Sequence, residues 1–332
     1  MNLQFNASSN YNGLIGYAHD AHFEGLLIDN LTLDATGYSY VGALIGYADN
    51  VSITRVYGQG IDNISGASSV GGLVGELHNG ALESSSIWSY CDMNGCQQGE
   101  VSGTGDNIGG LVGKLVNSQL RYGSAGLSIV AEPASSSIAV GGLVGLAQSS
   151  VIESSQAHGT ISAAQSDQVG GLAGTLDNST VLQSSASGDV TGRDEIGGLI
   201  GGITSGSQSL VENSYNDDAN LTATTKIGGL VGFVGDNSSI KHTYASAHIS
   251  GTSDIGGLIG ILTSPSTVIN SYYDNQTYSQ TSNGIGEPRT TKQLEETQVA
   301  GGTVDGQQTF VGWDFSTSWD PASSCRAPRV NS

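Results

Sequence analysis

Histidine residues are the first candidates for metal or acid–base chemistry in this chain of 332 residues. The closest pair is His19 and His22, in the stretch "HDAH". A zinc peptidase of the H-E-x-x-H type needs two histidines four residues apart on a helix, with a glutamate after the first to act as the base. Neither the spacing nor the flanking residues of His19 meet that requirement, so the sequence predicts no such catalytic site.

Aspartate–asparagine pairs recur along the chain at 49–50, 177–178 and 236–237. Oxygen ligands of this kind bind Ca²⁺ when they come together, so Asp49, Asp177 and Asp236 are candidate calcium ligands. The same residues are common in tight turns, which is the competing explanation. The other acids, such as those of "DEIGG" at 194–198, are isolated in turns. We therefore expect no catalytic residues and no enzymatic activity. Calcium is the one candidate cofactor.

An insertion at residues 87–100, "IWSYCDMNGCQQGE", combines aromatic residues with two cysteines. A disulfide between Cys91 and Cys96 would fit an oxidising compartment and would leave Cys325 without a partner; the alternative is two reduced, solvent-facing thiols in a loop. A loop fixed in this way could present Trp88 and Tyr90 to a sugar or a protein. The alternative is a loop without a ligand, whose tryptophan packs on the side of the protein.

Tyrosines Tyr215, Tyr244 and Tyr272 occupy equivalent places in successive repeats, as does Tyr57. A column of stacked tyrosines could bind a sugar. The favoured interpretation is an aromatic ladder that stabilises the fold.

The composition excludes several classes of partner. Thirty acidic and ten basic residues give a net charge of -20, which disfavours nucleic acid and anionic lipid surfaces. No apolar run reaches the roughly 18 residues of a membrane helix. The start, "MNLQF", has no basic and apolar regions of a secretory signal. We therefore expect either a removed export signal or a segment of a longer extracellular polypeptide.

A glycine-flanked apolar hexamer repeats through most of the chain. "VGGLVG" at 70–75 returns at 140–145, and variants begin at 11, 40, 108, 169, 196, 227 and 255. Two further apolar pieces follow each hexamer: an aliphatic with a hydroxyl three residues on, as in Ile152/Ser155 and Leu182/Ser185, and a short pair such as Val101-Ser102. These pieces are short and β-branched, which favours strands.

Nine copies at a near-constant period predict a parallel β-solenoid of about nine coils of roughly 29 residues and three strands each. In this interpretation the aliphatic residues of the hexamer fill the interior. Its glycines allow a sharp corner or a close backbone approach. The short pairs form an outward column of hydroxyls, for which ice binding is a minor alternative: Ser65, Ser102, Ser162, Thr191, Thr222 and Ser250.

The repeat resembles the GLUG repeat of bacterial surface and secreted proteins, on its G-G-L-V-G core and on strands such as "SSVIESSQAHGTIS". The stretch "RTTKQLEETQ…TFVGWDFSTSW" at 289–319 is similar to the segment that often closes such arrays. The family includes adhesins, and its repeats accompany the catalytic domain of immunoglobulin A-specific metallopeptidases. The resemblance therefore implies a non-catalytic extracellular region.

We accordingly expect a lead-in or edge-covering strand at 1–11 and a solenoid at 12–275. Residues 276–332 are predicted to be an irregular cap, in which Phe310, Trp313, Phe315 and Trp319 cover the open end. The predicted function is an adhesive or structural rod at the bacterial surface, with a surface glycan or protein as partner. The alternatives are a glycan-binding module acting through residues 87–100 and a non-catalytic part of a secreted hydrolase. An uncapped end or flank could also self-associate.

Overall fold

The protein is a parallel β-solenoid in a computed structural model. The structure describes residues 3–7, 9–89, 91–92, 95–96, 99–132, 139–277, 283–297, 299–320 and 327–330. Within these ranges, strands of successive coils pair in register into four long parallel sheets of eight, sixteen, ten and nine strands. One helix, Thr291–Glu296, lies in the same ranges.

Each hexamer turns a corner between the first two sheets. The described strands of the eight-stranded sheet are Val41–Gly42, Val70–Gly71, Ile108–Gly109, Ala139–Gly141, Gln168–Gly170, Ile196–Gly197, Thr225–Gly228 and Ser253–Gly256. The described sixteen-stranded sheet begins with two long strands, Ile15–Glu24 and Ile45–Thr54. It then continues as two halves. One half comprises Val74–His78, Val112–Val116, Val144–Gln148, Ala173–Asp177, Ile200–Ile203, Val231–Val234 and Ile259–Leu262. The other comprises Ala81–Glu83, Gln119–Arg121, Val151–Glu153, Thr180–Leu182, Leu210–Glu212, Ser239–Lys241 and Thr267–Ile269.

The other two long sheets complete each coil. The described ten-stranded sheet comprises Leu27–Asp29, Tyr57–Gln59, Ser86–Ile87, Ser124–Ala125, Gln156–Ala157, Ser185–Ala186, Tyr215–Asn216, Tyr244–Ala245, Tyr272–Asp274 and Glu287–Arg289. The described nine-stranded sheet comprises Leu3–Asn6, Leu31–Asp34, Asn63–Gly66, Glu100–Gly103, Ser128–Ala131, Ile161–Ser162, Val190–Thr191, Asn220–Thr222 and His248–Ser250. Among the described strands, three antiparallel pairs lie outside the coils: Cys91–Asp92 with Gly95–Cys96, Gly302–Val304 with Gln307–Thr309, and Trp319–Asp320 with Arg329–Val330.

The solenoid class is confirmed, with two differences in detail. The described part of the chain forms about eight turns rather than nine, because the first hexamer copy adds only an isolated bridge, Asn12 to Val41, to the eight-stranded sheet. A typical described coil has five short strands rather than three, because corners divide the apolar pieces. At a coil spacing of about 4.8 Å, eight turns make a rod on the order of 40 Å long.

The hexamer supplies the solenoid core, as predicted. Val140, Leu143 and Val144 are fully buried. The glycines permit close contact between coils: a Cβ on Gly142 would lie 2.1 Å from the carbonyl oxygen of Gly171 in the next coil. Neither Gly141 nor Gly142 has a positive φ. The hexamer therefore needs glycine because the backbones of adjacent coils almost touch at this corner.

The other corners use left-handed residues followed by buried serines. Ser154 has a φ of 48°, and the hydroxyl of Ser155 donates to the carbonyl oxygen of Glu153 at 2.8 Å. The same hydroxyl accepts from the amide of Gly123 in the preceding coil at 3.0 Å. The register pairs Ile152 with Val181, so the hydroxyl equivalent to Ser155 is Ser184. The predicted Leu182/Ser185 pair was wrong by one residue.

The C-terminal segment packs against the side of the solenoid, which corrects the prediction that its aromatic residues cover the open end. The indole Nε1 of Trp319 donates to the side-chain oxygen of Asn213 at 3.2 Å. The indole Nε1 of Trp313 donates to the carbonyl oxygen of Asn270 at 2.8 Å. The end itself is closed by the strand Glu287–Arg289 and by the Asn283 amide, which donates to two backbone carbonyls of the last coil.

The two ends of the solenoid differ in burial. Leu14, Leu44 and Leu258 occupy the same interior position in different coils. Leu258 is fully buried in the last coil, whereas Leu14 in the first coil is 43% exposed. The strand Leu3–Asn6 extends only the nine-stranded sheet beyond the first coil. The structure therefore describes a closed C-terminal end and an open interior at the N-terminal end.

Candidate functional site

Trp88 lies flat against the outside of the ten-stranded sheet, just after the strand Ser86–Ile87. Its ring covers Gly126 of the next coil, where an added Cβ would lie 2.2 Å from the Cε3 atom of the indole. The ring reaches beyond Gly126 to stack on His158, with the ring centroids 5.7 Å apart and the planes at 24°. The side chain remains 39% exposed. The indole is thus supported from below while part of its surface faces solvent.

Polar groups surround the His158 imidazole beside this ring. Nδ1 lies 3.0 Å from the hydroxyl of Ser187, and Nε2 lies 3.2 Å from the side-chain oxygen of Gln156. Burial lowers the pKa of His158, and the charge of Arg329 lowers it further. The imidazole is therefore neutral at pH 7, with one ring nitrogen donating and the other accepting. Together, Trp88, His158, Gln156 and Ser187 form a surface that we call the Trp88 platform.

The rest of the insertion is described only in part. Cys91 and Cys96 lie opposite each other in an antiparallel backbone pair. Their side chains lie outside the description, so the disulfide stays a prediction. Tyr90 and Cys325 lie outside the described residues.

The three tyrosines of the predicted column form a ladder, but the C-terminal segment covers them. Tyr215 and Tyr244 stack with centroids 5.0 Å apart, and Trp319 lies within 6.0 Å of both rings. Tyr244 and Tyr272 are fully buried, and burial raises the pKa of both. The prediction of Tyr215, Tyr244 and Tyr272 as a ligand-binding surface is therefore wrong for this structure, because aromatic side chains of the same chain occupy that surface.

The three candidate calcium ligands lie far apart. In one column of the sixteen-stranded sheet, three coils with His78, Val116 and Gln148 separate Asp49 from Asp177. Each carboxylate accepts protein hydrogen bonds, for example Asp236 from the amide of Gly206 at 2.7 Å. Among the described residues, no three His, Cys, Asp or Glu side chains are grouped so that they could hold a metal ion. The proposed stacking of these aspartates is wrong, and calcium binding stays an untested prediction.

A cluster of tyrosines in the first two coils was not predicted. Tyr11 stacks on Tyr40 with centroids 4.8 Å apart, and Tyr17 stacks on Tyr47 at 5.7 Å. Tyr47 in turn stacks on His78 at 4.8 Å. Tyr11 and Tyr17 are about half exposed. The sequence signal was present, because the first two hexamer copies read "YNGLIGY" and "YVGALIGY", with tyrosine at both ends.

Glu76 lies buried at the edge of this tyrosine cluster. Burial is the largest influence and raises its pKa, but hydrogen bonds from His78 and Ser69 outweigh it, and the net pKa is lowered. The His78 Nε2 atom lies 2.8 Å from one carboxylate oxygen, and the Ser69 hydroxyl donates to the other at 2.5 Å. The carboxylate is therefore ionised and occupied by partners within the protein.

The column of hydroxyls lies on the outside of the nine-stranded sheet. The register places Ser65, Ser102, Ser162, Thr191, Thr222 and Ser250 in one column. Val130 interrupts it between Ser102 and Ser162. Ice binding remains an untested alternative for this face.

Comparison with known proteins bears on the repeat. The family model of the GLUG motif matches residues 136–162 and 166–191. The other hexamers from 70 to 260 occupy the same place in the coil register as those two copies. The chain contains GLUG repeats.

Two further similarities accompany the GLUG repeats. Halomucin of Haloquadratum walsbyi (strain DSM 16790 / HBSQ001) is 30% identical in an alignment 179 residues long, which covers 50% of this chain and 2% of halomucin. The GLUG-repeat chain thus matches a very small part of that relative. A crystal structure of a candidate immunoglobulin A1 protease from Bacteroides ovatus is 14% identical, with 93% of this chain and 75% of that chain covered. Its TM-score is 0.38, which does not establish a shared fold.

Within the described residues, no helix has the length and apolar composition needed to cross a bilayer.

Proposed function

We propose that this GLUG-repeat chain is a non-enzymatic, extracellular adhesive rod of a surface or secreted protein, and that it binds through its N-terminal half. The observation that carries the proposal is the distribution of exposed apolar side chains. In the described part of the chain, eight of the eleven exposed large hydrophobic residues lie in the first four coils. These eight are Tyr11, Leu14, Tyr17, Leu26, Leu27, Tyr57, Trp88 and Tyr122.

The contrast between these residues and the rest of the surface supports a binding role. Exposed apolar groups that concentrate in one region of a soluble protein are typical of interaction sites. The chain carries a net charge of -20, which keeps the rods apart and in solution. The regular sheets hold exposed side chains of successive coils at fixed spacing, so the binding groups do not have to be ordered when they meet a partner.

The C-terminal segment covers the outer face of the ten-stranded sheet in the last coils. In the last three coils, Trp313 and Trp319 pack on the tyrosine ladder. In the first coils, the same column of the ten-stranded sheet presents Leu27 and Tyr57 to solvent. The outer face of the ten-stranded sheet can therefore bury aromatic groups. In the first coils this face is exposed, so a partner could bind there in the same way.

The proposal is tested with beads coated with the chain and applied to layers of bacterial and mammalian cells. We expect wild-type beads to adhere to at least one layer more than albumin-coated beads do. Adhesion should fall for the variant with Tyr57→Ser and Trp88→Ser. It should persist for the control with Val299→Ser and Val311→Ser, which removes exposed apolar side chains from the C-terminal segment. Equal adhesion of the two variants, or no adhesion above albumin, would refute the proposal.

A further inference from the structure

We infer that the Trp88 platform is a binding site for a neutral saccharide, held with the apolar face of one pyranose ring against the indole. The inference rests on the proposed adhesive function, because it names the class of partner that one part of the N-terminal half binds. It uses only described residues on the outside of the ten-stranded sheet.

The ring position of Trp88 is built into the fold. Residues two coils apart in a column are separated by about 9.6 Å, yet the Trp88 and His158 ring centroids are only 5.7 Å apart. The indole closes that distance by leaning across Gly126, where any side chain would block it. Gly126 thus fixes the indole flat on the surface, and little conformational entropy is lost when a ligand covers it.

The polar groups beside the indole match the rim of a sugar. A pyranose has an apolar face of C–H groups and a rim of hydroxyls that both donate and accept hydrogen bonds. The indole offers an extended apolar surface. Gln156, the neutral His158 ring and the Ser187 hydroxyl offer donors and acceptors within one side-chain length of it. Sites for small molecules typically combine an aromatic surface with a few fixed polar groups in this way.

The charge around the platform favours a neutral saccharide over an anionic one. Arg329 is paired with Asp217 at 3.1 Å. Asp218 lies on the same side of the solenoid, and among the described ion pairs its one basic partner is His248. His158 is itself neutral at pH 7 because its pKa is lowered. A sialic acid or uronic acid would therefore meet an acidic surface and, among the described residues, no unpaired cation at this position.

The experiment is an array of immobilised neutral and anionic oligosaccharides probed with the full chain, followed by titration with the neutral oligosaccharide that gives the strongest signal. We expect binding to weaken about tenfold or more in Trp88→Ala, as for an aromatic residue at the centre of a binding surface. Gly126→Ala should have a similar effect although Trp88 is still present, because the added Cβ lifts the indole. Circular dichroism checks that each variant is folded.

Ile269→Thr is the matched control. It removes an apolar side chain that is 41% exposed, against 39% for Trp88, from the strand Thr267–Ile269 in the C-terminal half, and threonine suits a strand. Binding within about twofold of wild type is expected for this variant. A neutral hit lost in Trp88→Ala and Gly126→Ala but kept in Ile269→Thr supports the inference.

Three other outcomes overturn it. A blank array shows that no saccharide is bound; if coated beads still adhere to cells, the adhesive function stands and its partner is not a saccharide. A neutral hit that survives Trp88→Ala places the saccharide elsewhere on the chain. Binding restricted to anionic saccharides contradicts the charge argument.

Discussion

A single methyl group added at a hexamer glycine should destabilise the whole solenoid. In Gly142→Ala the new Cβ would lie 2.1 Å from the carbonyl oxygen of Gly171 and 3.0 Å from the Cβ of Ala157. Carbon and oxygen atoms that are not bonded need roughly 3.2 Å, so the two coils must separate locally by about 1 Å. That movement stretches two hydrogen bonds between the coils, from the amides of Gly142 and Leu143.

The size of the effect follows from these contacts. Overpacking in a rigid core costs about 1–3 kcal/mol, and each weakened hydrogen bond costs about 0.5–1.5 kcal/mol. We therefore expect Gly142→Ala to lower the free energy of unfolding by about 2–6 kcal/mol. The control is Gly206→Ala, at a φ of 79° with no atom within 4 Å of the added Cβ. Only the left-handed backbone is then disfavoured, at a cost of about 1–2 kcal/mol.

The assay is equilibrium unfolding in denaturant, followed by far-ultraviolet circular dichroism, for wild type and both variants. The midpoint should fall more for Gly142→Ala than for Gly206→Ala, with the same m-value if the unfolding stays two-state. A Gly142→Ala protein as stable as the Gly206→Ala protein would contradict the close backbone packing that we assign to the hexamer.

Three further perturbations test other parts of the fold. Ser155→Ala leaves the buried amide of Gly123 without its acceptor, and we expect a loss of about 1–3 kcal/mol in denaturant unfolding. Trp319→Ala removes an indole packed on Tyr244; the C-terminal segment should be cleaved faster in limited proteolysis, with the coils left intact, and unchanged cleavage would refute the packing. Hydrogen bonds from the Ser316 and Thr317 hydroxyls and amides hold the pKa of Asp314 well below its ordinary value of 3.8. Because that pKa is depressed in the folded state, the stabilisation is complete above about pH 4 and is lost as the pH falls further. Tryptophan fluorescence should show this acid transition in wild type and a weaker one in Asp314→Asn.

Much of the solenoid could be predicted because each repeat carries its own information. Val140, Leu143 and Val144 recur at one period with the glycines that let coils approach. The alignment of Tyr215 with Tyr244 also follows from that period. The count of turns was too high by one because the copy around Gly13 is degenerate and contributes a bridge rather than a strand to the eight-stranded sheet.

The contacts between distant segments could not be predicted from the repeat. The hydrogen bond from Trp319 to Asn213 joins residues 106 positions apart, and the sequence does not show on which flank the C-terminal segment lies. The support of Trp88 depends on Gly126, 38 residues later, which the irregular insertion between them obscures. The period of the repeat also does not show that the tyrosines bordering the first two hexamer copies form an exposed cluster.

The most direct test of the account is cell adhesion by beads coated with Gly126→Ala. This variant keeps Trp88 and every other exposed aromatic residue and changes only the support beneath the indole. The account predicts that adhesion falls to the level of Trp88→Ala, while Ile269→Thr beads adhere like wild type. Adhesion of Gly126→Ala beads at the wild-type level would contradict the assignment of the Trp88 platform as an adhesive site within the N-terminal half.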